Sequence, residues 1–202
     1  MSYRDFTLAK LESHFGIKNR KERILETFVP IQPSTYLSRE LMEVEGLPVR
    51  SEKAKSEWIV VPILRELRNR NDKYFTIHSG DFLNADEEKG LKGECDFILA
   101  KDVSTFDINY PIIQIVEAKK NDLELGVPQC AAQLVGAKVF NQNKGVEIPK
   151  IYGCVTTGNE WLFMVLENDL IKIDSKIHYL NEVENIIGIF QVIIDYYKKI
   201  LK

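Results

Sequence analysis

Two carboxylates and an amine stand where a strand should be apolar. In Ile115-Val116-Glu117-Ala118-Lys119 alternate side chains share a face, so Ile115, Glu117 and Lys119 project on one side of a β-branched run that reads as buried. Charging such a face costs free energy unless the charges have partners. Upstream, Asp96 sits among strong strand formers in Glu94-Cys95-Asp96-Phe97-Ile98-Leu99-Ala100, where an aspartate marks a strand start or a site. A third acid, Glu57, falls on a helix predicted from Ser51 to Arg68. At about 100° per residue it lies in the apolar arc of Ala54, Val60, Val61, Leu64 and Leu67, with Glu66 opposite. Pro62 is the weak point, because a proline kinks a helix interior. Three carboxylates and one amine on core elements offer hard oxygen donors to a cation, beside an amine that is an electrostatic partner when charged and a base once it has lost its proton.

The elements that carry these groups follow in a regular order. The spacing predicts strands over 73–78, 94–100 and 111–119, a helix over 129–140, and a strand over 151–156. A hairpin over 161–166 and 170–174 turns at Asn168-Asp169, and an amphipathic helix over 182–201 ends the sequence. Helices alternating with strands in this way give an α/β fold with a mixed central sheet flanked by helices. The first fifty residues read as an N-terminal helical extension. Phe6, Leu8, Leu11 and Phe15 make a helical stripe that 21–28 continues, Pro30 and Pro33 break it, and Ser34 caps a further piece. The expected organisation is therefore an extension over 1–50 and a main domain over 51–202.

Composition narrows the function classes. With 202 residues, 45% hydrophobic and 28% charged, the chain can bury one sizeable core. A net charge of -3 excludes a uniformly basic surface, so any nucleic-acid contact is local. Cys95, Cys130 and Cys154, like the three histidines, are too scattered for a zinc site. The N-terminal residues lack an apolar signal segment and the longest apolar run, 186–194, is too short to span a bilayer. A cytoplasmic protein without membrane contact is expected. Trp58 and Trp161 read as core residues, and the cluster Arg65, Arg68, Arg70 and Lys73 as a solvated helix end.

A helix glutamate, an aspartate at a strand start and Glu-x-Lys at the end of the next strand resemble the PD-(D/E)XK nuclease superfamily. The segments CDFILAKD, PIIQIVEAKK and VTTGNEWLF are most similar to the nuclease domain of type I restriction motor subunits. The resemblance covers residues 51–157. Gln129 is similar to the helix glutamine of the RecB-like branch, although Gln133 stands where that branch has a tyrosine.

The resemblance implies a restriction-endonuclease-like core and Mg²⁺-dependent hydrolysis of phosphodiester bonds, of DNA rather than RNA, with Mn²⁺ able to substitute. It implies that Asp96, Glu117 and the carbonyl of Ala118 hold the metal and that Lys119 orients or deprotonates the attacking water. Glu57 would bind a second metal or a metal-bound water, and Gln129 would position the phosphate or Lys119. Two other readings stand beside it. One is a catalytically inactive nuclease-fold subunit or nucleic-acid-binding module of a larger complex, and the other is an α/β interaction domain in which Glu-x-Lys is chance. The low charge favours a protein partner or a homodimer.

Overall fold

The computed structural model describes residues 1–101 and 107–201. A short 3₁₀ turn, Tyr3–Asp5, precedes α1 (Leu8–Phe15), β1 (Lys18–Glu22) and α2 (Thr35–Val44). α3 (Glu52–Lys55) runs through a π-helical turn, Ser56–Val60, into α4 (Val61–Arg70). Then come β2 (Phe75–Phe82), β3 (Glu94–Lys101), β4 (Ile112–Ala118), α5 (Leu123–Asn143) and β5 (Lys150–Thr156). β6 (Glu160–Glu167), β7 (Leu170–Asp174), β8 (His178–Tyr179) and α6 (Val183–Ile200) complete the order. One mixed eight-stranded sheet runs β1-β7-β6-β5-β4-β3-β2, with β8 on β6. Only β1/β7 and β4/β5 among these pairs are parallel.

The expected α/β architecture is present, and the burial of β4 explains its sequence. Every residue from Ile112 to Ala118 is buried, because β3 and β5 flank the strand and helices cover both faces. On one side α5 packs Cys130, Ala131, Leu134 and Ala137 against Ile98, Ile115 and Met164. On the other, α4 and α6 pack Ile63, Leu67, Phe190 and Ile193 against Phe97, Val116 and Phe163. α5 is apolar nearly all round, as a helix enclosed by other elements must be. No helix among the described residues is long and apolar enough to cross a membrane.

Two expectations are corrected. The first fifty residues are not helical throughout. Lys18-Asn19-Arg20-Lys21-Glu22 is an edge strand parallel to β7, with Lys18 opposite Leu170 and Glu22 opposite Asp174. Tyr3, Phe6, Leu11 and Ile17 join the core under α5. An exposed, charged edge strand has no apolar alternation to betray it, and its charges protect a free sheet edge from further pairing.

The helix acids are also reversed. Glu66 is buried, accepting from Ser34 N at 3.0 Å, Ser34 Oγ at 2.7 Å and Arg70 Nη2 at 2.7 Å. Glu57 is exposed. Glu66 is covered by the chain at Ser34, and Glu57 is turned out by a π-turn before α4, in which Val61 N–H bonds Ser56 O five residues back. Pro62 has no N–H for the Trp58 carbonyl and its ring needs space there. The wider turn gives that space and shifts the phase of everything before it.

Candidate active site

The β3/β4 ladder ends at Phe97 opposite Val116. The next pair in that register is Asp96 with Glu117, and there the side chains take over. Asp96 Oδ2 accepts the Ala118 N–H at 2.7 Å, a bond that a backbone carbonyl would otherwise make. β4 stays paired with β5 to Ala118 opposite Thr156, and Lys119 N–H donates to Thr156 O at 2.7 Å. The chain then leaves the sheet and starts α5, where Asp122 caps by accepting from Glu124 N at 2.8 Å. The acids thus sit at a sheet end that is open on the β3 side and rigid on the β5 side.

Glu117 is only 1% exposed. Lys119 Nζ donates to its Oε1 at 2.5 Å, and Gln133 Nε2, from α5, donates to its Oε2 at 2.8 Å. Burial, and next the charge of Asp96, push the Glu117 carboxyl up to about 7, while Lys119 and Gln133 pull the other way. Burial also raises Asp96, against the Ala118 N–H and the Lys119 charge. Two adjacent carboxyls that both hold protons more tightly than usual mark a place short of positive charge. The thiols of Cys95, Cys130 and Cys154 are pushed up by burial as well. Protonated and enclosed, they are neither nucleophiles nor soft ligands.

Lys119 reaches Glu117 over a glycine. A Cβ on Gly126 would lie 2.4 Å from Val155 Cγ1 and 3.0 Å from Lys119 Cγ, so the first turn of α5 leaves a slot for the lysine stem. Gly126→Ala is expected to destabilise the fold by about 1–2 kcal/mol, overpacking outweighing alanine's better helix propensity. It should also displace the amine from Glu117. Gly46→Ala, with nothing within 4 Å of its Cβ, is the control. Thermal melts of both variants check this, and a melting point for Gly126→Ala equal to that of Gly46→Ala would refute the slot.

Of the residues singled out from sequence, Asp96, Glu117, Ala118 and Lys119 converge. Glu57 does not: 56% exposed, it lies 3.8 Å from Lys53. Glu52, one turn earlier, takes its place. Its Oε1 accepts the Lys120 N–H at 3.0 Å, and its charge is felt at Asp96. Lys55 Nζ donates to Lys120 O, so α3 is tied to the end of β4 at two points. Gln129 is buried, but Gln133, one turn further on, is the glutamine that holds Glu117. Gln133 also lies 3.5 Å from Glu94 O. Glu52 and Gln133 were visible in the sequence only as an acid in the same helix and an amide in an apolar one. Trp58 is not core but half exposed, whereas Trp161 is fully buried.

Among the described residues no group of three or more histidine, cysteine, aspartate or glutamate side chains is placed to hold a metal ion. The donor set at this site is the two carboxylates of Asp96 and Glu117. That set fits Mg²⁺, a hard cation that keeps several waters and takes one or two carboxylates. No protein-family model matches the chain, and neither a curated protein nor a solved structure does.

Proposed function

We propose that the chain is a metal-dependent nuclease of the PD-(D/E)XK kind, hydrolysing phosphodiester bonds of DNA in a restriction, defence or repair setting. The observation that carries this reading is the meeting of Asp96, Glu117 and Lys119, from two neighbouring strands, at one open sheet end. The order α4, β2, β3, β4, α5, β5 around it supports a restriction-endonuclease-like core. Asp96 and Glu117, with the Ala118 carbonyl, would hold Mg²⁺ or Mn²⁺. The ion would supply charge neutralisation at the phosphate and a water of lowered pKa. Gln133 fixes the orientation of the Glu117 carboxylate from behind. Lys119, once Glu117 is otherwise engaged, is placed to orient or deprotonate the attacking water or to hold the phosphate. Glu52, through Lys120, keeps the β4 end and α3 together and adds negative charge near Asp96.

The test is incubation of the purified chain with Mg²⁺ or Mn²⁺ and duplex, single-stranded and branched DNA, and RNA. Cleavage should disappear with chelator and decline with salt, because phosphate contacts dominate such binding. Glu52→Gln should slow it by about tenfold, roughly the loss of one charged positioning contact. Glu57→Gln should leave the rate within about twofold, since its partner is a solvent-exposed lysine. Equal losses in both variants would return the helix acid to the wheel position. A second reading, a non-catalytic nucleic-acid-binding subunit, is favoured by one feature: Lys119 is already engaged by Glu117. It becomes the better reading if every substrate survives intact.

A further inference from the structure

Among the described residues His178, on β8, is fully buried and neither of its ring nitrogens has a hydrogen-bond partner. Whichever tautomer is present, one N–H and one lone pair are left unsatisfied. A second proton would bury a charge as well. What surrounds the ring is aromatic: Phe163 of β6 and Phe28 stand edge-on to it, each with its centroid 5.9 Å away. Burial lowers the pKa of the ring from its ordinary 6.5; next the charge of Lys176 acts in the same sense and Asp174 against it, then Arg23 lowers it and Glu182 raises it. The elements packed on β8 add Glu160 of β6, opposite Tyr179, and Glu184 in the first turn of α6.

Phe28 belongs to residues 23–33, which run from β1 towards α2 with no helix or strand of their own and no fully buried residue. Ile24, Leu25, Phe28 and Ile31 only half-bury against the core under α4 and α6. Polar ties hold the two ends of this strap. Arg23 Nη1 donates to the buried Asp174 at 2.8 Å, and Ile31 N–H donates to Glu184 O at 2.9 Å. Between them the Val29 carbonyl occupies the space that a Cβ on Gly188 would need. A segment with few buried apolar contacts and no ladder of its own lies at the low end of local stability. Of the two rings on His178, Phe163 is fixed in the middle of β6 and fully buried, whereas Phe28 is half-buried, so water reaches the imidazole when Phe28 moves. We propose that residues 23–33 are an acid-released strap, opened by protonation of His178, while the sheet beneath stays paired. The open strap leaves His178 its ordinary affinity for a proton and the closed strap a lowered one, so acid favours opening. The opening constant is steady above about pH 6.5, rises by up to about tenfold for each pH unit below it, and levels off under the closed-state pKa.

The experiment follows two NMR signals of the full chain at pH 7, 6 and 5: hydrogen exchange of the Ile31 amide, whose bond to Glu184 O closes the strap, and the titration of the His178 ring. Ile31 protection, taken relative to an unstructured chain at the same pH, should fall by up to about tenfold from pH 6 to pH 5, while amides of β4 and β5 stay protected. Protonation of Asp174 would free Arg23 as well, so a variant must separate the two groups. His178→Phe keeps a ring between Phe28 and Phe163 but takes no proton, and its Ile31 protection should stay level over that range. Phe28→Ala, the second variant, uncovers the imidazole and should return its titration close to the ordinary 6.5. Three results overturn the strap: Ile31 protection that is level in the wild type, an acid-dependent loss that persists in His178→Phe, or a His178 titration that Phe28→Ala leaves unmoved. The second of these would assign the opening to the Arg23–Asp174 pair.

Discussion

Lys119→Ala is expected to lower divalent-dependent cleavage by roughly 10²–10⁴-fold, the range for losing a positioned general base or acid, while the protein stays folded. Among the described residues Lys119 is the cation in direct contact with the acid pair, at 2.5 Å from Glu117, so no neighbour substitutes for it at that distance. Folding survives because Glu117 need not remain a bare buried charge: with its carboxyl already at about 7, it keeps its proton when the amine is removed. Lys119→Arg should not restore the rate, since a planar, wider guanidinium does not fit the slot over Gly126 and cannot act as a base. Initial rates on one substrate, with near-ultraviolet circular dichroism on both variants, check this. A Lys119→Ala rate within about tenfold of the wild type would take Lys119 out of the chemistry and leave the acids as a binding site only.

Much of the fold was legible because its strongest signals are local. β4 announces itself as a β-branched run and β3 through the apolar Phe97-Ile98-Leu99-Ala100, and the hairpin of β6 and β7 follows from Asn168-Asp169 between two apolar segments. α6 carries its own amphipathic period. β1 has no such signal: Lys-Asn-Arg-Lys-Glu becomes a strand only because β7 presents a free edge and Arg23 reaches Asp174 at 2.8 Å. Pairing across about 150 positions is invisible to a window of fifteen.

The site was legible on the strands and misread on the helices, for a physical reason. Side chains alternate on a strand whatever its neighbours, so Glu117 and Lys119 had to share a face, and Asp96 followed from the adjacent strand. A helix face depends on an unbroken period, and one π-turn at Ser56–Val60 took Glu57 and Trp58 out of the expected arc, while Glu66 is enclosed by Ser34 and Arg70, partners that no helical wheel shows. On α5 the period is intact. There Gln129 and Gln133 share a face, and the depth at which the helix packs on β4 decides that the second one meets Glu117.

The same acid pair should make the stability of the metal-free protein fall as pH rises. An unfolded glutamate releases its proton near its ordinary value of 4.5, whereas folded Glu117 holds it to about 7. Between those values the folded state binds more protons, so each step upward in pH favours unfolding. The cost is absent below about pH 4.5, grows through the window and is complete above pH 7, at roughly 3 kcal/mol. Asp96, raised in the same sense, adds to it. Buried His178 acts oppositely, since its lowered pKa costs stability as pH falls, but that contribution is common to the wild type and to Glu117→Gln. The difference between the two proteins isolates the acid: Glu117→Gln should gain on the wild type from pH 5 to about pH 7 and level off above it. Mg²⁺ or Mn²⁺ should reverse the trend above pH 7. An ion that binds only the folded state at a hundredfold over its Kd adds about 2.7 kcal/mol, nearly cancelling the cost of the bare Glu117 carboxylate. Glu117→Gln and Asp96→Asn should lose that gain, and Lys119→Ala should keep it, because an ammonium group donates hydrogen bonds and cannot ligate. Urea unfolding at pH 5, 6, 7 and 8, with and without the ion, reads both effects. A stability difference between wild type and Glu117→Gln that does not change with pH would mean that Glu117 is ionised throughout. A divalent gain that survives in both acid variants would place the ion elsewhere.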